Sequence, residues 1–189
     1  MDADETFVLL LLADSALPTG AFVASSGLES YCAHGFPALF SSPQHALLHF
    51  VRQSLATYAH STLPYVADAH CVVSAAKARP DGDITLSTLL GLDQLFHAST
   101  LNQVTRRAST SQGVALLTLL SKGLSAPHID AHLSSSSSIP AHLSSLVDEF
   151  KSLVRRQSTP GHLPVCWGII TAALGLSLGS HPVLCPPSE

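Results

Sequence analysis

The sequence predicts an all-α protein, organised as one compact helical domain over residues 1–189. Three observations carry that class. No segment sustains the apolar–polar alternation of a half-buried strand. Ala141 to Gln157 places Leu143, Leu146, Val147, Phe150, Leu153 and Val154 at i, i+3, i+4, i+7 spacing, with Asp148, Glu149, Lys151, Arg155 and Arg156 outside that stripe. Turn residues punctuate the chain at helix-length intervals, most plainly at Pro80-Asp81-Gly82-Asp83 and Thr159-Pro160-Gly161.

Taken in order, the first element is the apolar run Phe7 to Leu12, which breaks at Asp14 to Gly20. Pro18 has no N–H to donate and a fixed φ, so this helix cannot run into the next. The chain restarts at Ser25-Ser26-Gly27-Leu28-Glu29. Ser26 and Glu29 have the spacing of a capping box, in which hydroxyl and carboxylate reciprocally satisfy early helix N–H groups. His34-Gly35 ends this second helix with a glycine suited to the C′ position. After a connector from Phe36 to Pro43, Gln44 to His60 aligns Leu47, Leu48, Val51, Leu55, Tyr58 and Ala59 on one face. Pro64 then marks the start of another helix, Tyr65 to Arg79.

Helical spacing resumes from Leu86 to Phe96 and continues to Leu120 without a proline, as one long helix or two joined near Ser109 to Gly113. Residues 125–138, with five consecutive serines, form a low-complexity loop. The amphipathic helix from Ala141 follows, its basic end at Arg155-Arg156 suiting the negative pole of the helix dipole. Leu163 to Leu178 has no charged residue and reads as a buried core helix. It is shorter than the roughly 20 residues that span a bilayer, and it carries Pro164, Gly168 and Gly175.

Composition narrows the function classes. Hydrophobic residues make up 46% of the chain and charged residues 12%, against about 25% in an average soluble domain. With a mean hydropathy of +0.32, either the protein associates with a membrane or partners cover much of its apolar surface. A small membrane-associated helical protein is the alternative this leaves open. A net charge of −4 argues against non-specific nucleic-acid binding. Cys32, Cys71, Cys166 and Cys185 are scattered without a CxxC pair, which fits a reducing, cytoplasmic setting better than a disulfide framework or a zinc site. The acidic Asp2, Asp4 and Glu5 stand where a secretory signal needs positive charge.

The motifs of catalysis are missing. There is no GxxxxGK[ST] phosphate loop and no GxSxG elbow around Ser25 or Ser26. His45 and His49 stand at i, i+4 on a helix, as do His128 and His132 in the loop, but neither pair supplies the three or four ligands of a firm site. Arg106-Arg107 with Ser109 and Gln112 is the densest polar cluster in an apolar region. It reads either as a solvated helix face or as a partner-contact patch, since Arg is favoured at interfaces.

Three blocks together resemble the urease accessory protein UreF family, with a fungal flavour in SSGLESY and the serine-rich insertion. They are LLLLADSALPTGAFVASSGLES, then Leu101 to Ser109 with Gln112-Gly113, then Gly161-His162-Leu163-Pro164-Val165 with Gly168 and Leu174-Gly175-Leu176. The resemblance implies an all-α, non-enzymatic nickel-insertion chaperone with no stably bound cofactor. Its implied partners are a UreD/UreH-type accessory protein, a UreG-type GTPase, apo-urease, and a second copy in a homodimer, so that the complex handles the nickel. No nucleic acid and no membrane are expected. The matching polar positions are the expected partner contacts: Ser25, Ser26, Glu29, Arg106, Arg107, Ser109 and Gln112. Two departures stand out. Ala24 replaces a histidine or aromatic residue frequent in the family, and the Pro-rich tail 179–189 replaces further helix. A shortened or altered C-terminus would leave the helix from Leu163 without a neighbour, exposing apolar surface and lowering solubility.

Overall fold

The structure, a computed structural model, describes residues 3–14, 27–78, 82–124 and 140–178. Among these it is helical throughout, without a strand, as the sequence predicts. The elements are α1 (Ala3–Leu12), α2 (Leu28–Ala33), a 3-10 turn (Phe36–Leu39), α3 (Pro43–Ala78), α4 (Gly82–Ser99), α5 (Gln103–Leu119), a π-helical turn (Leu120–Leu124), α6 (Ala141–Arg155) and α7 (Leu163–Ala173).

The core forms around α7. Val165, Cys166, Ile169, Ile170, Ala172 and Ala173 are buried there against Ala69 and Val73 of α3, Leu89 of α4, Leu116 and Leu117 of α5, and the α6 stripe. Leu143, Leu146, Val147, Phe150 and Val154 of α6 are all buried, as their spacing predicts. The expectation that the helix from Leu163 lacks a neighbour is therefore overturned: α7 is the best-covered helix described. Its approach to α3 depends on Gly168. A Cβ there would stand 2.4 Å from the Val66 carbonyl oxygen and 2.7 Å from Ala69 Cβ, so only glycine allows the two backbones this close.

Two boundaries differ from the sequence-based reading. The two helices expected over Gln44–His60 and from Tyr65 are one helix, α3 (Pro43–Ala78), with Pro64 inside it; Arg79 lies outside the described residues. An interior proline costs about 3 kcal/mol through its missing N–H and ring clash. Packing of the following residues on α7 offsets that cost. The second difference is the break between α4 and α5, which falls at Thr100 to Asn102 and not at Ser109 to Gly113. Asn102 makes the break: its side-chain oxygen accepts from the N–H groups of Val104 (2.8 Å) and Thr105 (3.3 Å), a well-formed N-cap.

The capping box does not form as expected. Gly27, at φ +92°, takes the N-cap position of α2 with no side-chain cap, so Glu29 stands at the second helical residue, one short of the box position. Ser26 itself lies outside the described residues. Gly35 does terminate α2 at φ +74°, its N–H donating to the Cys32 carbonyl. Tyr31 fixes the short helix against its surroundings, its ring 5.5 Å from Phe36 and 5.0 Å from Phe50. The loop 125–138 and the tail 179–189 lie outside the described residues. No described helix is long and apolar enough to cross a membrane.

Candidate functional site

The second and third sequence blocks, more than fifty residues apart, meet at one buried junction. α4 supplies Asp93, a lone carboxylate on the face that also buries Leu89 and Phe96. The link between α6 and α7 supplies its donors. Thr159 Oγ1 donates to Asp93 Oδ2 at 2.5 Å, the Gly161 N–H at 2.7 Å, and the His162 N–H donates to Oδ1 at 2.8 Å. Asp93 is fully buried, so these bonds are what make its charge tolerable. They also set a negative charge at the N-terminus of α7, where the helix dipole favours it.

Gly161, at φ +73°, turns the chain into this cradle. Across from it, Gly113 of α5 lies so close that an added Cβ would fall 2.1 Å from the Gly161 carbonyl oxygen. Gly113 therefore marks a helix-to-loop contact and not a helix break. Ser109, one turn earlier, caps α7 from outside: its Oγ accepts from the Leu163 N–H at 3.1 Å and lies 3.1 Å from His162 Nδ1. His162 Nε2 faces His97 Nδ1 at 2.9 Å. The network is satisfied when the Ser109 hydroxyl donates to Nδ1 and the Nε2–H donates to His97.

Burial pushes the pKa of His162 down to about 4; Asp93 opposes this, while His97 and Arg106 add to it. The ring is thus neutral near pH 7. Burial likewise lowers the pKa of His70, which couples α3 to the chain beyond α7 through Nε2 and the Leu176 carbonyl at 2.8 Å. On the other side of that passage, Glu5 of α1 accepts from the Ser177 N–H at 2.6 Å and from its hydroxyl. Burial raises the Cys166 thiol well above its ordinary pKa, leaving it a packing group against Gly113.

Ser109, His162 and Asp93 have the residue types of a hydrolytic triad but not its geometry. Asp93 binds main-chain N–H groups and not the imidazole, the second ring nitrogen faces another histidine, and Ser109 is 8% exposed with its oxygen already accepting. The arrangement fixes the positions of α4, α5 and α7.

Outside this junction lies a cleft of about 720 Å³ between α4, α5 and the α6–α7 link. His97, half-buried, joins its floor to the network, and Arg107, Thr110 and Ser111 line one wall. Gln157, Ser158 and Pro160 line the other. A larger groove of about 1190 Å³ runs along the N-terminal half of α3, with Tyr31, Val51, Leu55 and Tyr58 on one side and Asn102 and Val104 on the other. Here the predicted apolar stripe is uncovered: Leu48 is 54% exposed and Leu55 64%.

The sequence-derived site residues are therefore divided. Ser25 and Ser26 lie outside the described residues. Glu29 is exposed on the rim of the larger groove. Arg107 is exposed on the cleft, Gln112 is half-buried, and Arg106 is half-buried with its Nε donating to the Thr100 carbonyl. Ser109 is inside the junction. His45 and His49 are exposed on α3, where the His49 ring lies tilted against Phe40, centroids 4.9 Å apart. No third ligand joins them, and no group of three or more potential metal ligands occurs among the described residues. Sequence reasoning missed Asp93, His97 and Thr159. The available signal was a carboxylate in register with the apolar face of α4.

Comparison with known proteins places these features in a family. The model of the UreF family matches residues 42–181. Urease accessory protein 6 of Cryptococcus neoformans var. grubii is 39% identical over 92% of this chain and 64% of its own length. A Schizosaccharomyces pombe protein described as an uncharacterized urease accessory protein UreF-like is 31% identical, over 92% of this chain and 63% of its own. Urease accessory protein UreF of Paenarthrobacter aurescens is 29% identical, over 94% and 64%. The chain thus spans less than two thirds of the length of these curated relatives. No solved structure matches it with significance.

Proposed function

This chain belongs to the UreF family of urease accessory proteins, and from that premise we propose that it is a non-enzymatic scaffold for urease maturation. It binds a UreD/UreH-type accessory protein and recruits a UreG-type GTPase to apo-urease. Nickel is handled by the complex and is not held in a resident site of this chain. The observation that carries the reading is the family match across residues 42–181, which includes the Ser109–His162 junction and most of the described core.

Two physical features support it. The buried polar groups are spent on holding helices together, as the bonds of Asp93 and Ser109 illustrate, leaving no activated nucleophile at the junction. The exposed stripe on α3 is of the kind that an assembly component presents. Among residues 43–63 the only Lys, Arg, Asp or Glu is Arg52, so a second copy packed against this stripe would bury leucine without burying a carboxylate. Homodimerisation through α3 is part of the proposal.

Affinity purification of the tagged chain co-expressed with the UreD/UreH- and UreG-type proteins of the same organism tests the reading. Both partners should co-elute, and the chain should restore urease activity to cells lacking their own UreF-type gene. Recovery of neither partner, together with no restored activity, would reject it.

A further inference from the structure

Tyr31 carries a hydroxyl that the isolated chain does not use. Its ring is packed, with centroids 5.5 Å from Phe36 and 5.0 Å from Phe50. Its oxygen is buried and has no hydrogen-bond partner among the described residues. Glu29 stands two residues earlier on the same short helix, a spacing at which side chains do not face each other. A buried hydroxyl left unpaired costs stability, and phenylalanine would keep the ring packing without that cost. The hydroxyl is therefore of use in a state other than the isolated chain.

The position of the residue points to that state. Tyr31 lines the groove of about 1190 Å³ along the N-terminal half of α3, beside the exposed Val51, Leu55 and Tyr58. α2, which carries it, is six residues long, buries none of them, and lies between Gly27 and Gly35, both left-handed. The 3-10 turn that follows buries none either. Ring contacts join this unit to α3, Tyr31 with Phe50 and Phe40 with His49. A small shift of α2 sacrifices little packing and brings the hydroxyl to the groove.

The lining selects the occupant. Among the described lining residues Glu29 is the only Lys, Arg, Asp or Glu, so a highly charged partner would leave its own charges unpaired there. A second copy brings the same apolar side chains. It also brings acceptors, since Glu29, Gln53 and Ser54 line the groove and a twofold interface sets one patch against itself.

We propose that Tyr31 is a recognition residue of a homodimer formed through this groove, its hydroxyl donating to an acceptor of the second copy. This rests on the homodimer reading above and adds the polar contact that sets the register of the two copies.

Tyr31→Phe in the full chain tests it, because two readouts must move in opposite senses. The urea midpoint of the dilute monomer should rise, since a buried unpaired group is removed. The dimer dissociation constant from sedimentation velocity should increase about tenfold, because the acceptor on the second copy is left unpaired. The substitution keeps the ring, so a purely packing role would leave the dimer as tight as before. That result would overturn the proposal. So would an unchanged or lower midpoint, which means that the hydroxyl is already satisfied in the isolated chain. Unchanged self-association with weakened binding of the UreD/UreH-type protein would assign the hydroxyl to that partner and overturn it as well. Leu48→Ser with Leu55→Ser separates this proposal from the reading beneath it. If that variant loses self-association and Tyr31→Phe does not, the role of Tyr31 alone fails. If the parent stays monomeric at every concentration, the homodimer reading fails and the role of Tyr31 with it.

Discussion

The two halves of α3 are both apolar and are used in opposite ways. Before Pro64 the helix carries its larger apolar side chains, Leu47, Leu48, Val51, Leu55 and Tyr58, and leaves each about half exposed or more. Beyond it the helix carries mostly alanine and valine, and Ala67, Ala69, Val73 and Ala76 are buried. Hydropathy does not account for this difference; the neighbour does. Small side chains on α3 and Gly168 on α7 let two backbones meet, and the large side chains earlier in α3 have no such surface opposite them among the described residues. One half of the helix is core, and the other is exposed surface, which the proposed scaffold role would use for assembly.

That contrast can be broken most severely from the core side. Gly168→Val would drive a side chain into the Val66 carbonyl and Ala69, atoms that cannot move independently of α3. The expected loss is about 3 kcal/mol or more, read as a fall in the urea midpoint, with failure to fold as the extreme. Asp93→Ala comes next. It strands three buried donors at Thr159, Gly161 and His162 and should cost roughly 3 kcal/mol, with Asp93→Asn costing about half as much.

A third prediction concerns pH. His162 has a pKa of about 4 in the folded chain and about 6.5 when unfolded. Between those values the unfolded chain binds the extra proton. Stability is therefore fully present above about pH 6.5 and is lost as pH falls towards 4, by about 2 kcal/mol at pH ~5. The lowered pKa of His70 acts in the same direction. Thermal unfolding across this range should show the decline, and His162→Gln should flatten it; a variant as pH-sensitive as the parent would remove His162 from the account.

The smallest effect on stability belongs to the exposed half. Leu48→Ser combined with Leu55→Ser should change the unfolding free energy by no more than about 0.5 kcal/mol, because neither side chain is buried in the isolated chain. The same variant should lose concentration-dependent self-association in sedimentation velocity, which would sharpen the division between the halves.

Much of this architecture was legible in the sequence. The α6 stripe, the burial of α7 and the terminating Gly35 all follow from local patterns, spacing and turn chemistry, and all are observed. The blocks around Arg106–Gly113 and Gly161–Val165 were visible as motifs, but their meeting was not, because Ser109 and His162 are related only through the fold. Pro64 misled because a local rule was outweighed by packing on α7. Gly113 suggested a helix break, whereas it serves a close approach to Gly161 from a distant part of the chain. The uncovered α3 stripe had the periodicity of a core helix, and periodicity does not say whether the covering surface belongs to the same chain.

Hydrogen exchange along α3, followed at several protein concentrations and with the UreD/UreH-type partner added, tests the division directly. In dilute protein alone, amides from residue 65 to 78 should be strongly protected and those from 43 to 63 weakly, since protection follows burial and packing. Raising the concentration or adding the partner should then protect 43–63 selectively. Equal protection of both halves in the dilute chain, or no gain across 43–63 under either condition, would contradict the account.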